Sequence, residues 1–238
     1  MEVINTDMKA YVITLTGNSE SNEGADRTIY SSEFYKNDLQ IEKFSASVPS
    51  DVVSEMKKYG LKWNYPWSQS VSDIQSGLIK TPYETAVPEK RIACFLSHYR
   101  LWLKCVEIDE SILIFEHDAL FIRKLELEPL LQSKYSVISL NDPIGCTRKS
   151  NVYAELLVGR KGVCSVPVID DLRTPQGLPG NSAYLIKPKG AQKLINLVNE
   201  FGAWPNDAIM CRQLMPSMLG CLVPFVTTIQ KITSTTTK

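Results

Sequence analysis

Two acidic residues follow the most apolar short run of the chain. Residues 112–115 read I-L-I-F, and Glu116 and Asp118 come directly after them, separated by His117. Residues two apart in an extended segment point to the same side, so both carboxylates are expected to face one point while His117 faces elsewhere. Two hard oxygen ligands with open positions suit Mg²⁺ or Mn²⁺ bridging to a diphosphate. The same acidic pattern also occurs where a solvated turn begins, and a short motif alone does not separate the two readings.

The apolar run before Glu116 is typical of a central strand that is covered on both faces. In an open α/β sheet, ligands bind at the carboxyl ends of strands, which is where Glu116 and Asp118 would lie. Residues 137–140 form a second apolar run, and Asn141 and Asp142 follow it. Asp142 could accept a proton from a substrate, although N-D-P at residues 141–143 is equally the chemistry of a turn.

A long helix is predicted immediately before the acidic segment. Apolar residues recur in steps of four and three over residues 89–107, which indicates a core-facing helix, and Pro88 suits its first turn. Its flanking faces are apolar too, so His98 must find polar partners inside the fold. His98 either supports the acidic segment from within the protein or reaches a substrate.

Strand and helix patterns alternate along the rest of the chain. The β-prone runs are residues 11–15, 41–44, 112–115, 137–140, 183–186 and 222–229, and helical periodicity covers residues 25–35, 89–107 and 189–201, with Gly202 as a stop. This alternation predicts an α/β fold. Residues 47–90 have little sustained period and predict an irregular insertion or lid. We expect one domain over residues 1–232 and a flexible tail at 233–238.

The composition narrows the class of protein. The 26 Lys and Arg residues balance the 26 Asp and Glu residues of the 238-residue chain, so a nucleic-acid partner is not indicated. No apolar run approaches the roughly 18 residues of a membrane span, and the first residues do not resemble a signal peptide. The six cysteines form no CxxC pair, which favours reduced thiols. We therefore expect a cytoplasmic protein with no membrane span.

Several sequence blocks, taken in order, resemble glycosyltransferase family 25, the lipooligosaccharide and collagen galactosyltransferase type. Residues 93–102 read A-C-F-L-S-H-Y-R-L-W and are similar to the family's G-C-x-x-S-H-x-x-x-W, and E-H-D-A at residues 116–119 is similar to its E-D-D-A. Residues 11–15 look like its first strand, and G-N-S-A-Y-L-I at residues 180–186 looks like its G-T-H-A-Y block. The resemblance implies a GT-A-like (Rossmann-like) α/β fold with a mixed, mainly parallel sheet flanked by helices.

The resemblance also implies an activity and its residues. It implies metal-dependent transfer of a hexose, with inversion, from a nucleotide-sugar donor such as a UDP-sugar to an acceptor glycan or another hydroxyl, a modified nucleobase not being excluded. Mn²⁺ or Mg²⁺ would be held by Glu116 and Asp118. The residues implied on the donor side are Glu116, Asp118, Thr14, Arg27 and Asn181, the candidate bases are Asp207 and Asp142, and His98 and His117 would support the ligands. Asp207 could instead cap a helix that begins near Ala208.

The chain departs from the family pattern at three places. His117 replaces the middle Asp of the acidic triplet, Ser182 replaces a histidine, and residues 18–26 are acidic where the family is arginine-rich. These departures leave open a catalytically silent module that binds a nucleotide sugar. A phosphotransferase of the aspartyl-phosphate type is a further alternative, but it needs a nucleophilic Asp where Glu116 stands.

Overall fold

The computed structural model describes residues 8–83, 85–146, 149–178 and 180–232. The tail predicted at residues 233–238 lies outside these ranges. The strands are, in chain order, β1 (Lys9–Thr14), β2 (Gln40–Ser45), β3 (Val71–Ser72), β4 (Ile79–Lys80), β5 (Ile112–Glu116), β6 (Ala119–Phe121), β7 (Val137–Ser139), β8 (Gly162–Ser165), β9 (Ala183–Ile186), β10 (Leu219–Val223) and β11 (Thr227–Ile229). The α-helices are α1 (Ser19–Phe34), α2 (Val52–Lys58), α3 (Pro88–Ile108), α4 (Glu128–Gln132), α5 (Ser150–Glu155), α6 (Pro188–Phe201) and α7 (Asn206–Ile209).

The central sheet of the described residues has seven strands in the order β2-β1-β5-β9-β7-β10-β8. β1 pairs in parallel with β2 and β5, and β7 pairs in parallel with β10. β9 and β8 run antiparallel to their neighbours. The predicted α/β class, with a mixed and mainly parallel sheet flanked by helices, is confirmed. The carboxyl ends of β1, β5, β7 and β10 therefore share one edge with the amino end of β9.

Strand β5 is covered on both faces, as its apolar run predicts. Ile112 and Ile114 pack into one hydrophobic core, to which α3 and α6 contribute. Leu113 and Phe115 pack into the core on the opposite face, which includes Ala25 of α1. All four side chains are fully buried. Because β5 is buried on both faces, its position in the sheet is fixed, and so is the position of Glu116 at its end.

The two longest apolar periodicities correspond to helices α3 and α6, and these two helices pack against each other. Each begins with a proline in its first turn, where the missing N–H donor costs nothing. Gly202 ends α6 with a φ of +82°, a conformation that a residue with a side chain adopts at a cost. The helix predicted over residues 25–35 begins earlier, at Ser19, because the Asn18 side chain caps it by accepting the Ser21 N–H at 2.8 Å.

Residues 47–90 form a set of short elements held against the domain. A short 3-10 helix, Pro49–Asp51, leads into α2, and β3 pairs with β4 in a small hairpin. The Lys80 side chain is buried there, donates to the Asn64 carbonyl at 2.9 Å and pairs with Asp73 at 3.2 Å. Tyr65 is also buried and packs against Trp204. A lid function of this segment stays a prediction.

The last β-prone run is two strands rather than the single strand predicted over residues 222–229. β10 ends at Val223 in the central sheet, and β11 pairs with β6 in a separate two-stranded sheet. Pro224 lies between them and has no N–H to donate to a ladder, so strand pairing stops there. Among the helices of the described residues, none combines the length and the hydropathy that crossing a bilayer requires.

Candidate active site

The acidic segment leaves the sheet as a turn, not as extended chain. Glu116 is the last residue of β5, His117 and Asp118 form a turn, and β6 begins at Ala119. The expectation that residues 116–118 are extended is therefore wrong, because the chain reverses into β6 instead of continuing along the sheet. The Gln230 side-chain amide secures this turn by donating to the carbonyl oxygens of His117 and Ala119 at 3.3 and 2.8 Å.

Helix α1 lies directly against the same turn. A Cβ atom built on Gly24 would stand 2.5 Å from the carbonyl oxygen of His117, closer than real Cβ atoms come to a neighbour. The small side chains on the buried face of α1 permit this approach. The Gln230 amide also donates to the Gly24 carbonyl at 3.0 Å, so helix and turn are joined by one side chain.

A chain of buried hydrogen bonds orients Glu116. The Trp102 indole N–H donates to the Tyr184 hydroxyl at 3.0 Å, and that hydroxyl lies 2.8 Å from Nδ1 of His98. Nε2 of His98 lies 3.1 Å from Oε1 of Glu116. A tautomer with the proton on Nε2 satisfies every step, since Tyr184 then donates to Nδ1 and His98 donates to the carboxylate. His98 is fully buried and both ring nitrogens have partners, which fits the supporting role, and that role stays a prediction.

The two carboxylates of the turn have opposite electrostatic environments. Burial alone would raise the pKa of Glu116, but the hydrogen bond from His98, together with the charge of nearby Arg91, holds it below its ordinary value. Burial, and then the negative charge of Glu116, raise the pKa of Asp118 to about 7. Within the described ranges, Oδ1 of Asp118 is buried and has no hydrogen-bond partner. The surroundings therefore favour the ionised form of Glu116 and the protonated form of Asp118.

Asp207 lies in the same electrostatic neighbourhood. Its Oδ2 accepts the Tyr83 O–H at 3.0 Å, while its Oδ1 is buried and finds no partner in the described part of the chain. Burial raises the pKa of Asp207, the charge of Arg91 opposes that rise, and the charge of Glu116 adds to it. Asp207 is inside α7 and the cap of that helix is Pro205, so the alternative role as a helix cap is wrong.

A cavity of about 690 Å³ opens beside Asp207. Its wall includes aromatic side chains from residues 47–90, the start of α3, the loop before β9 and α7. The lining residues used below are Tyr65, Tyr83, Arg91, Cys146, Asp170 and Asp207. The charges of Asp118 and Glu116 both act on the Cys146 thiol, after burial, to raise its pKa to about 11. The turn carboxylates thus act electrostatically on a residue that lines this cavity.

The other predicted site residues fall into two groups. Asn181 is buried, and both atoms of its amide have no partner among the residues described, as expected of a group that awaits a ligand. Thr14 donates to the Val12 carbonyl at 3.0 Å, and Arg27 donates to Gln230 at 2.6 Å, so both are held by the protein itself. Asp142 accepts the Ile144 N–H at 2.9 Å, which is turn chemistry. The binding or catalytic roles of these residues stay predictions.

Two sets of residues could hold a divalent cation. Ligand atoms of Cys94, His98 and Glu116 lie within 4.8 Å of one another. Both ring nitrogens of His98 are already hydrogen bonded, and burial raises the pKa of the Cys94 thiol well above its ordinary value, which opposes thiolate ligation. Glu116 with Asp118 fits a hard cation better, because both offer carboxylate oxygens and Oδ1 of Asp118 has no partner among the described residues.

Arg91, Tyr83 and Tyr184 are further members of the site that the motifs do not single out. Arg91, Cys94 and His98 are spaced i, i+3 and i+7 on α3, so a polar stripe on a buried helix was the available signal. Tyr184 was quoted only as part of a motif. Tyr83 lies in the irregular segment, and only the tertiary fold brings its hydroxyl to Asp207.

Comparison with known proteins gives a family and a few similar structures. The family model for glycosyltransferase family 25, described as LPS biosynthesis protein, matches residues 8–210. No curated protein sequence matches the chain significantly. The apo-form glycosyltransferase GlyE of Streptococcus pneumoniae TIGR4 is 13% identical with a TM-score of 0.40, and the match covers 91% of this chain and 45% of GlyE. The chain thus spans less than half the length of GlyE.

Apo-form mouse xyloside xylosyltransferase 1 is also 13% identical, with a TM-score of 0.42, over 91% of this chain and 85% of that chain. The family model covers most of the chain and includes both the helix that carries His98 and the turn that carries Glu116 and Asp118. The chain therefore belongs to glycosyltransferase family 25.

Proposed function

We propose that this chain transfers a hexose from a nucleotide-sugar donor, UDP-linked, to the hydroxyl of an acceptor glycan or a similar substrate, with inversion. The observation that carries the proposal is a set of three acidic residues: Glu116 and Asp118 at the carboxyl end of β5, and Asp207 on α7, with the charge of Glu116 acting on the other two. Burial and mutual charge raise the pKa of Asp118 and of Asp207. Such clusters of perturbed carboxylates are typical of active sites.

Glu116 and Asp118 would hold Mn²⁺ or Mg²⁺, and the cation would supply neutralising charge to the diphosphate of the donor. The protein's own contribution is to keep both carboxylates in place. His98 orients Glu116 through the hydrogen bond to Oε1, and Gln230 fixes the backbone on both sides of Asp118. Asn181, with its unpartnered amide at the same edge, is available to bind a polar group of the donor.

Asp207 is the general base in this proposal. Tyr83 holds one carboxylate oxygen, and the other has no partner among the described residues. Asp207 lines the cavity, so an acceptor hydroxyl bound there could give its proton to this residue. A raised pKa brings the carboxylate closer to the basicity that such a proton transfer needs. Asp142 is the weaker candidate because its carboxylate already accepts a backbone N–H.

The direct test is a screen of nucleotide sugars for thermal stabilisation of the protein, with and without Mn²⁺. We expect a UDP-hexose to raise the melting temperature only when Mn²⁺ is present, because a ligand that binds the native state alone stabilises it. Asp207→Asn should keep this shift and lose transfer to an acceptor by about 10²-fold or more. If none of the sugar nucleotides raised the melting temperature, the proposal would be contradicted. Binding of a sugar nucleotide without any turnover would indicate the catalytically silent module.

A cytoplasmic location stays a prediction from the amino-acid sequence.

A further inference from the structure

Arg91 is a buried cation that has no hydrogen-bonding partner among the described residues. The side chain is on α3 and lines the cavity beside Asp207, and the residue is only 9% exposed. No hydrogen bond or ion pair joins its guanidinium to another group in residues 8–83, 85–146, 149–178 or 180–232, and its Nε is buried and unpartnered. Its direct contact is with the ring of Tyr83, 4.7 Å from the ring centroid.

The acids on which the Arg91 charge acts already accept hydrogen bonds from other side chains. The Arg91 charge acts on both Glu116 and Asp207. Glu116, however, is hydrogen bonded to His98, and Asp207 accepts from Tyr83. Buried polar groups in proteins are normally hydrogen bonded, so a guanidinium that lines a cavity and has no acceptor among the described residues indicates that a ligand supplies the acceptor.

The cavity itself is suited to a small polar molecule. Its volume of about 690 Å³ is within the range of small-molecule sites. Tyr65 and Tyr83, with ring centroids 5.9 Å apart, give it an aromatic wall. Asp207 lines the same cavity, so a molecule bound to Arg91 would lie beside the residue that carries the proposed base.

We propose that the acceptor is a sugar that carries an anionic group, a carboxylate or a phosphate, and that Arg91 binds this group while Asp207 receives the hydroxyl proton. This inference rests on the proposed function, because it identifies the substrate class of the same site. The planar guanidinium offers paired N–H donors that match a carboxylate or a phosphate, which a single ammonium does not. Tyr83 holds both Arg91, through its ring, and Asp207, through its hydroxyl.

The test measures binding of three probes to the full chain without donor or metal: glucuronate, glucose 6-phosphate and neutral methyl glucoside. We expect at least one of the two anionic sugars to bind about tenfold or more tightly than methyl glucoside. Arg91→Gln should abolish this preference. Arg91→Lys keeps the positive charge but lacks the paired N–H donors of the guanidinium, so it should reduce the preference. Arg160→Gln, at an exposed arginine outside the cavity wall, should leave it unchanged.

Equal affinity for the anionic and the neutral sugars would overturn the inference, and this comparison needs only the wild-type protein. An unchanged anion preference in folded Arg91→Lys or Arg91→Gln would overturn it as well. Binding of UDP to the same variants gives a further test. If Arg91→Gln weakens UDP binding as much as glucuronate binding, and UDP displaces glucuronate, the guanidinium serves the donor diphosphate and the acceptor assignment is wrong.

Failure of the inference is distinguishable from failure of the proposed function. Hydrolysis of a UDP-hexose by the wild-type protein with Mn²⁺ reports the donor site and needs no acceptor. Donor hydrolysis together with equal affinity for all three sugars would overturn only the anionic acceptor. Absence of donor binding and hydrolysis, with an Arg91-dependent preference for the anionic sugars, would overturn the donor chemistry and support the anion site.

Discussion

At the scale of single residues, the site depends on two neighbouring carboxylates that the protein treats differently. Glu116 is hydrogen bonded to His98, and its pKa is lowered despite burial. Asp118 lacks a partner for Oδ1 among the described residues, and its pKa is raised. One carboxylate is thus ready to bind a cation at neutral pH, and the other becomes ready when it loses its proton.

Asp118 should give the metal-free protein a distinctive dependence of stability on pH. Its pKa in the folded protein is about 7, above that of the unfolded chain, so the folded state binds more protons in this window. The free energy of unfolding should therefore fall as the pH rises from about 4 to about 7. Asp118→Asn should remove this fall, as measured by urea unfolding, whereas exposed Asp38→Asn should not. Identical pH profiles for the wild type and Asp118→Asn would contradict the burial of Asp118.

His98→Ala should damage both stability and metal binding. The change removes a buried side chain and leaves the Tyr184 hydroxyl and Glu116 without their partner, for a loss of about 2–5 kcal/mol in the free energy of unfolding. The pKa of Glu116 should rise, because the strongest opposing influence to burial is lost. The lowered pKa of Glu116 stabilises the folded state at neutral pH, and this contribution disappears in acid. The free energy of unfolding of the variant should therefore decrease less than that of the wild type as the pH falls.

Trp102→Phe is the matched control for that variant. It removes the N–H donor to Tyr184 and makes a fully buried side chain smaller, and should lower the free energy of unfolding by about 1–3 kcal/mol. Its affinity for Mn²⁺ should stay close to that of the wild type. If His98→Ala bound Mn²⁺ as tightly as Trp102→Phe does, the orienting role of His98 would be wrong.

At the scale of elements, two glycines let backbone segments approach the site closely. A Cβ on Gly24 of α1 would stand 2.5 Å from the His117 carbonyl, and one on Gly177 would stand 2.1 Å from the Asp207 carbonyl. The neighbours are backbone atoms, which cannot rotate away as a flexible side chain can. The acidic turn and the helix that carries Asp207 are each positioned by such a contact.

Gly24→Ala tests this packing. Ala normally stabilises a helix relative to Gly by about 1 kcal/mol, but here the added methyl group should displace the turn and lower the free energy of unfolding by about 1–3 kcal/mol. Mn²⁺ affinity should fall with it. Gly17→Ala, where no atom lies within 4 Å of the new Cβ, is the control and should have little effect on either quantity. A Gly24→Ala protein that is more stable than the wild type would show that α1 does not constrain the turn.

The elements were predictable where one periodicity dominates. The apolar run that ends at Phe115 and the stepwise apolar positions of α3 and α6 each determine an element, because burial of those side chains permits few alternatives. The turn at His117 was not predictable from the sequence. Residues 116–118 are polar, and such a pattern fits an extended chain after β5 as well as it fits a turn. Tyr83 was missed for a related reason: nothing in the local sequence reports a contact with Asp207, more than a hundred residues away.

At the scale of the whole molecule, the site is assembled from distant parts of the chain at one edge of the sheet. Residues 47–90 provide Tyr83, α3 provides Arg91 and His98, the turn after β5 provides Glu116 and Asp118, and α7 provides Asp207. The antiparallel strand β9, between β5 and β7, brings Asn181 and Ser182 to the same edge. The order of the sequence motifs predicted a site at this edge of the sheet. The part of the cavity wall that residues 47–90 form depends on tertiary contacts.

The central claim is that Glu116 and Asp118 together bind a divalent cation that also binds a diphosphate. The most direct measurement is the electron paramagnetic resonance signal of free Mn²⁺ during titration of the wild type, Asp118→Asn and Asp38→Asn, with and without UDP, at about pH 8, where Asp118 is ionised. We predict that the wild type and Asp38→Asn bind Mn²⁺, that UDP tightens this binding by about tenfold or more, and that Asp118→Asn loses both effects while remaining folded. Equal Mn²⁺ binding by Asp118→Asn and the wild type would contradict the claim.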